Sequence, residues 1–385
     1  MRIAIFAAAD YRGSPVGGTS SFLSGIIPQL SQRHTLALVG LGGLSWTQGH
    51  TGEPSRPDKS IRPAMWFSTR AASVRSAFTA RAPLRSWSPE VTYAHSPELA
   101  LLARHIAPRS PCVLHLHGVA NPLVRSRFSW ARTLGGPEAY ELLYRFAARS
   151  CAMILVSSSD ADRLALCERF AIPVARSRLI PTALDPRIFR PRADLGNVAG
   201  DAPCAPQFVA ACRLSRVKRL DLAIEALAFV KRTCPRANLV IAGDGEERSA
   251  LERLARMRIP DGTVRFLGEV DRYEVARLLQ SSVALLMPSE SEGFPVAAIE
   301  SLACGTPVVC SSIGGLADLV RDGINGYFAV PGSPTSFARA LIRAAKEFPR
   351  LRSACVESSH QYSAERVGRL VEDALLQSSH GSSSQ

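Results

Sequence analysis

The chain has 385 residues, of which 46% are hydrophobic and 21% charged. Those proportions belong to a globular protein long enough for two domains, and they exclude a disordered or fibrous chain. The longest apolar runs, such as residues 36–44, fall short of the ~18 residues of a membrane-spanning helix.

The net charge of +13 is unevenly spread. Residues 1–186 hold 21 basic and 11 acidic side chains, whereas residues 187–385 hold 25 and 22. Residues 62–132 alone hold 10 basic and 2 acidic. Such a face suits anionic lipid, nucleic acid or phosphorylated substrates. No helix-turn-helix, zinc-finger or RNA-binding signature accompanies the charge, so nucleic acid is not an expected partner. Nine scattered cysteines with no C-x-x-C pair argue against a disulfide framework and against zinc. Cys112 and Cys212 fall in apolar strand-like runs and read as buried and reduced, which points to the cytoplasm.

Residues 1–9 are apolar but meet Asp10 at once. They read as a first buried strand over 2–7, not as a signal peptide. A loop at 13–18 follows, then a helix over 19–32 with Phe22, Ile26, Ile27 and Leu30 at helical spacing. A strand over 35–39 and an irregular polar loop over 45–62 come next. Residues 70–82 read as a basic helix, and 91–94, 112–116 and 153–157 as short buried strands. This rhythm predicts a parallel sheet with helices on both faces. The proline-rich stretch near Pro186 to Pro206 reads as a linker, placing a first domain over 1–186 and a second over 207–377. The second half repeats the rhythm, with strands expected at 208–212, 239–242, 264–267, 283–287 and 307–310. Helices alternate with them, and a last helix is expected over 362–376. Residues 378–385 are Ser-rich and read as a frayed tail. Two doubly wound halves predict a cleft with ligands at the C-terminal edges of the strands.

Three clusters carry chemistry. Gly17-Gly18, between the first strand and the first helix, lets backbone N–H groups approach an anion. It is not G-x-G-x-x-G, and a plain tight turn explains it equally well. Arg213 and Lys218 follow the first strand of the second half. Two cations there suit a diphosphate and its developing charge on departure, although a solvated basic loop has the same composition. Third comes Glu292-Gly293-Phe294-Pro295, then Glu300, then Gly305-Thr306-Pro307. Pro295 suits the first position of a helix. Glu292 then precedes the helix and Glu300 lies inside it. One carboxylate can face a sugar and the other the paired hydroxyls of a ribose. Free N–H groups of the first turn can take anionic oxygens. The spacing leaves open a glycosidase acid and nucleophile pair.

In order and spacing these motifs resemble the retaining nucleotide-sugar glycosyltransferases of family GT4. The matching positions run through nearly the whole chain. They include Gly17-Gly18, His115-Leu116-His117-Gly118, Leu179-Ile180-Pro181 and Arg213-Leu214 with Lys218. Ala242-Gly243-Asp244-Gly245, Phe266-Leu267-Gly268, Glu292 with Glu300, and Gly314-Gly315 also match. The resemblance implies the GT-B fold, two Rossmann-like domains facing across a cleft. It implies that Glu300 binds ribose and that Glu292 binds the transferred sugar. Arg213 and Lys218 would hold the diphosphate, and the backbone of Gly17, Gly18 and of Gly293, Phe294 and Pro295 would complete the cradle, Pro295 without an N–H of its own. Phe266 and Leu267 would lie near the base, and His117 at the reaction centre. It implies no cofactor and no metal, with a UDP- or GDP-linked sugar as donor. His115 and His117 share a strand face, but no third ligand is apparent in the sequence.

The chain departs from the family at Thr182-Ala183, where Asn-Gly is usual, and at Asp318, where Glu is common. Neither touches the Glu292 and Glu300 pair, so activity is expected. The acceptor is expected to be a glycan or a lipid-linked molecule, in cell-surface polysaccharide or glycolipid synthesis. An epimerase on a related scaffold or a catalytically silent binding subunit are the rival readings. The basic helix over 70–82 carries Val74 and Phe78 beside Arg70, Arg75 and Arg81, with Trp66, Phe67, Arg85 and Trp87 flanking it. That pattern suits a peripheral contact with an anionic membrane surface.

Overall fold

The computed structural model describes residues 1–9, 18–41, 43–47, 66–117, 136–192, 205–292 and 295–380. The chain forms two compact units, Met1–Ala183 with Ala364–Gln385, and Leu184–Ser363.

The first unit is a seven-stranded sheet in the order β3-β2-β1-β4-β5-β6-β7. Its strands are β1 (Arg2–Phe6), β2 (Thr35–Gly40), β3 (Gly43–Thr47), β4 (Val91–Ala94), β5 (Cys112–Leu116), β6 (Met153–Val156) and β7 (Ser177–Leu179). All pairings are parallel except β2 with β3. The edge strand β3 falls where an irregular loop was expected. It pairs through Ala37 opposite Trp46 and Val39 opposite Leu44.

Side chains alternate across the sheet, so each strand feeds two cores. Ala4 and Phe6 of β1 face one cluster with Leu99, Leu114, Tyr144 and Phe170. Ile3 and Ile5 face the other, with Phe22, Ile26 and Tyr93. This second face is covered by the helix Gly18–Ser31 and by the last helix, Ala364–His380.

That last point corrects the expected boundaries. The final helix was assigned to the second domain, yet it packs in the first. Its Val367, Val371, Ala374 and Leu375 form one stripe that joins the Ile3 and Ile5 core. Glu372 fixes it from outside, at 2.8 Å from His34 and 3.2 Å from Arg33. The helix also runs through Ser378 to His380, and Ser378 is buried, so the frayed tail cannot begin at 378. At the other boundary, Leu184 and Phe189 already belong to the second unit's core. Thr182 and Ala183 are buried. Ala183 sits against Gly25, where an added Cβ would lie 3.0 Å from the Ala183 Cβ.

The basic helix spans Trp66–Thr79 and is followed by Arg81–Trp87. Ser73 and Ala77 are buried, Val74 packs partly on the core, and Phe78 and Arg75 are exposed. Arg85 is tied to the carbonyls of His105 and Ile106, and Trp87 meets the Trp46 ring edge-on. The side chains of Trp66, Phe67 and Arg70 lie outside the described set. Among the described residues no helix is long and apolar enough to cross a membrane.

The second unit is a six-stranded, all-parallel sheet in the order β10-β9-β8-β11-β12-β13. Its strands are β8 (Gln207–Ala211), β9 (Asn238–Ala242), β10 (Val264–Gly268), β11 (Ala284–Met287), β12 (Val308–Ser311) and β13 (Gly326–Ala329). From β8 the chain winds outward through β9 to β10, then returns to β11 on the other side of β8. The reversal falls between β8 and β11, where the loops leaving the carboxyl ends diverge and leave room for a ligand.

Candidate active site

In the second unit the loops after β8 and β11 are stitched together at that reversal. The backbone N–H of Glu290 donates to the Val217 carbonyl at 2.9 Å. Arg219 reaches Glu290 at 2.6 Å and Asp221 at 2.9 Å. Arg219 adopts φ +49°, a left-handed conformation uncommon for a side-chain-bearing residue. It joins the 3-10 turn Arg216–Lys218 to the helix Leu220–Val230. The turn delivers Lys218 to Glu292, with Nζ 2.7 Å from Oε1. Ser289 Oγ donates to the same oxygen at 2.7 Å. The Glu292 side chain is only 7% exposed. A small cavity beside it is lined by Cys212, Lys218, Met287, Ser289 and Glu292, among others. Burial pushes the Cys212 thiol up to about 11, so it stays protonated and inert there.

Arg213 lies apart from this cluster's bonds. It is half exposed and faces Glu246 at 3.4 Å. Glu300 sits in the helix Val296–Ala303, and the buried Pro295 forms its cap position, one residue earlier than expected. Glu300 is buried, with Arg272 Nη2 at 3.4 Å from Oε1. Burial raises its carboxyl to about 7, against the opposing charge and hydrogen bond of Arg272. Phe266 packs partly on the core, while Leu267 is partly exposed at the end of β10. Gly17, Gly118, Gly293 and Phe294 lie outside the described residues, and of Gly18 only its place at the start of the first helix is described.

In the first unit the sequence shows no third ligand beside His115 and His117, yet the fold supplies another imidazole. β4 and β5 are parallel neighbours, so His95, just past β4, comes beside His117, just past β5. Nitrogens of His95, His115 and His117 lie within 4.8 Å of one another. By residue type this is a metal donor set. The hydrogen bonds give His115 a different role. Tyr93 Oη is 2.5 Å from its Nδ1 and Ser157 Oγ 2.8 Å from its Nε2. Ser157 donates its own proton to the Ile180 carbonyl at 2.6 Å, so it must accept from His115 Nε2–H. Both nitrogens of His115 are therefore engaged within the protein, and it is a structural histidine. Phe22 closes over the group, its ring 4.7 Å from that of His115 and 5.1 Å from that of His117.

Sequence reasoning gave no role to His95, Arg272 or Arg219, and it reached Ser289 only as part of the Pro288-Ser289 segment leading to Glu292. His95 carries a readable signal, because Tyr93-Ala94-His95 continues the alternation of β4 past its end. Arg272 carries none.

The family description "Glycosyl transferases group 1" matches residues 203–361, and "Glycosyltransferase Family 4" matches residues 16–187. The chain belongs to the group 1, GT4-type glycosyltransferases. Glycogen synthase of Mycobacterium tuberculosis is 29% identical over 67% of the chain and 60% of its own length. D-inositol 3-phosphate glycosyltransferase of Frankia alni is 32% identical over 52% of the chain and 51% of its own. The chain thus spans roughly half the length of the curated relatives it matches. Among solved structures, HepE of Anabaena in complex with UDP-glucose superposes with a TM-score of 0.69 at 19% identity. That match covers 98% of this chain and all of the other. Sucrose-phosphate synthase of Thermosynechococcus elongatus gives 0.71 at 18% identity, covering 98% of both. These likenesses are of fold, and the fold class is GT-B with two Rossmann-like α/β units. Membership of this family disfavours the glycosidase reading of the Glu292 and Glu300 pair.

Proposed function

We propose that this glycosyltransferase moves a sugar from a nucleotide-sugar to an acceptor, retaining the anomeric configuration and using no metal. One observation carries the reading. At the reversal point of the second sheet, a lysine, a serine and a nearly buried glutamate share one oxygen. Lys218 and Arg213 take the diphosphate and absorb charge on the departing group. Glu292 accepts hydroxyls of the sugar, and Glu300 those of the ribose. Phe266 and Leu267 flank the base, while amide N–H groups of Gly17, Gly18, Gly293 and Phe294 complete the cradle and Pro295, which has no N–H, fixes the turn into the helix behind them. His117 faces the sugar at the reacting carbon.

The donor is UDP- or GDP-linked. Support comes from HepE, solved with UDP-glucose, and from a GDP-mannose-dependent phosphatidylinositol dimannoside mannosyltransferase, 38% identical over 37% of the chain. The acceptor is a glycan or a lipid-linked molecule of cell-surface polysaccharide or glycolipid synthesis. The net +8 over residues 62–132 (10 basic minus 2 acidic) supports work in the cytoplasm, at the inner face of an anionic membrane.

The test is a thermal-shift screen of UDP- and GDP-sugars, followed by NMR of the anomeric proton of any product. A ligand at 100 times its Kd should add about 2.7 kcal/mol of stability. Activity should survive excess EDTA. If no nucleotide-sugar binds or releases its nucleotide, the reading fails. Loss of activity in EDTA with recovery in Mn²⁺ overturns metal independence alone.

A further inference from the structure

We propose that His95 is a positioning residue that makes His117 present its Nδ1–H to the transferred sugar. The inference deepens the proposed function and rests on it for the identity of the substrate. Its structural half stands on hydrogen-bond geometry alone.

His95 Nδ1 lies 2.9 Å from His117 Nε2, with the two rings 10° from parallel. His115 offers neither ring a partner, because Tyr93 and Ser157 occupy both of its nitrogens. One proton must therefore lie between His95 and His117, and two arrangements exist. If His117 donates from Nε2, His95 accepts at Nδ1 and must carry its own proton on Nε2. That nitrogen is buried and, among the described residues, without a hydrogen-bond partner. A buried N–H with no acceptor is rare and unfavourable. If His95 donates instead, its Nε2 is a bare lone pair. His117 then accepts at Nε2 and carries its proton on Nδ1. The second arrangement avoids the orphaned donor.

His117 is half-buried, and among the described residues its Nδ1 has no hydrogen-bond partner. Burial lowers its basicity to about 4 and holds His95 and His115 well below the ordinary value, their mutual repulsion adding to the effect. The imidazole is then neutral at working pH and acts as a fixed dipolar donor, not a cation. Such a donor suits an oxygen of the transferred sugar without competing with Lys218 or Arg213 for phosphate. The parallel pairing of β4 with β5 sets the lateral distance, and the Phe22 ring packs edge-on against that of His117 at 5.1 Å.

Selective ¹⁵N labelling of histidine and long-range proton–nitrogen correlation report each tautomer. In the wild type at pH 7.5, His117 should appear as Nδ1–H and His115 as Nε2–H. His95→Phe keeps an aromatic ring but offers no proton, and His117 should revert to Nε2–H. With the best nucleotide-sugar, that variant should lose about 10²-fold in kcat with KM for the donor unchanged. His95→Asn can still donate from its amide and should recover most of the loss. An Nε2–H signal for His117 in the wild type overturns the proposal, as does full kcat in His95→Phe. If a variant fails to fold, the wild-type spectrum decides by itself. A correct tautomer in a protein that turns over no nucleotide-sugar would sink the proposed function and leave the His95 pairing standing.

Discussion

Lys218 Nζ and Glu292 Oε1 lie 2.7 Å apart across 74 residues of sequence. The phosphate-binding cation and the sugar-binding carboxylate of our reading neutralise each other. A donor must therefore take over both halves of this pair as it binds.

Lys218→Ala should cut turnover by about 10²–10³, the effect of losing one charge-stabilising donor. It should also lower stability by about 3 kcal/mol, because among the described residues the nearly buried Glu292 then keeps Ser289 alone as a partner. Adding Glu292→Gln to Lys218→Ala should restore much of that stability and none of the activity. A double-mutant cycle by chemical denaturation measures this coupling. Strict additivity of the two changes would count against the pair.

A second prediction concerns pH. The Glu300 carboxyl titrates near 7 in the fold, above its ordinary 4.5. The folded state thus holds a proton that the unfolded chain has already lost between those values. Its contribution to stability is complete below about 4.5 and is lost as pH rises through about 7. Glu300→Gln should flatten that slope in urea titrations. Nucleotide affinity should run the opposite way and rise across pH 7, since the ionised carboxylate accepts both ribose hydroxyls. Arg272 opposes the shift, so Arg272→Met should move the affinity transition to higher pH. An affinity that is flat from pH 6 to 8 contradicts the ribose role.

Gly314 supports the Glu292 loop from outside the ligand site. Its φ is +43°, and an added Cβ would lie 2.4 Å from the Glu292 carbonyl oxygen. Gly314→Ala should displace that loop, cost about 1–3 kcal/mol of stability and raise KM for the donor. Unchanged melting temperature and KM would show that the loop yields freely.

The membrane contact is tested by vesicle co-sedimentation. Phe78 and Arg75 are exposed on the helix Trp66–Thr79, whereas Arg85 and Trp87 are engaged inside the unit. Binding should need anionic lipid and weaken in Arg75→Glu with Phe78→Ser. It should also fall between about 50 and 500 mM salt, over which the Debye length changes about threefold. Equal recovery on neutral and anionic vesicles would falsify the peripheral reading.

The buried parallel strands were legible because both of their faces are covered, so they read as continuous apolar runs. β3 was not, because an edge strand with a half-exposed Trp46 has no such run. β13 and the helix Pro334–Ser359 were not singled out either. The strand has four residues and opens on a glycine, and the helix carries Pro349 in its interior. Glu292, Glu300 and Lys218 could be named from their motifs. Their partners could not, since the contacts of Arg272 with Glu300 and of His95 with His117 depend on which elements become neighbours. Period-2 alternation correctly put His115 and His117 on one face, but only strand order brings His95 beside them.

The packing of Ala364–His380 against β4, β5 and the helix Gly18–Ser31 has a consequence for how the gene can be divided. The second unit is a contiguous insertion, Leu184–Ser363, spliced into a first unit whose two pieces are far apart in the chain. A stop codon after Ser363 would remove nothing from the second unit. It would instead strip the cover that this helix gives β4, β5 and the helix Gly18–Ser31, at the cluster that holds Tyr93, Val113 and Phe22, so such a truncate should aggregate through the first unit while residues 184–363 still fold.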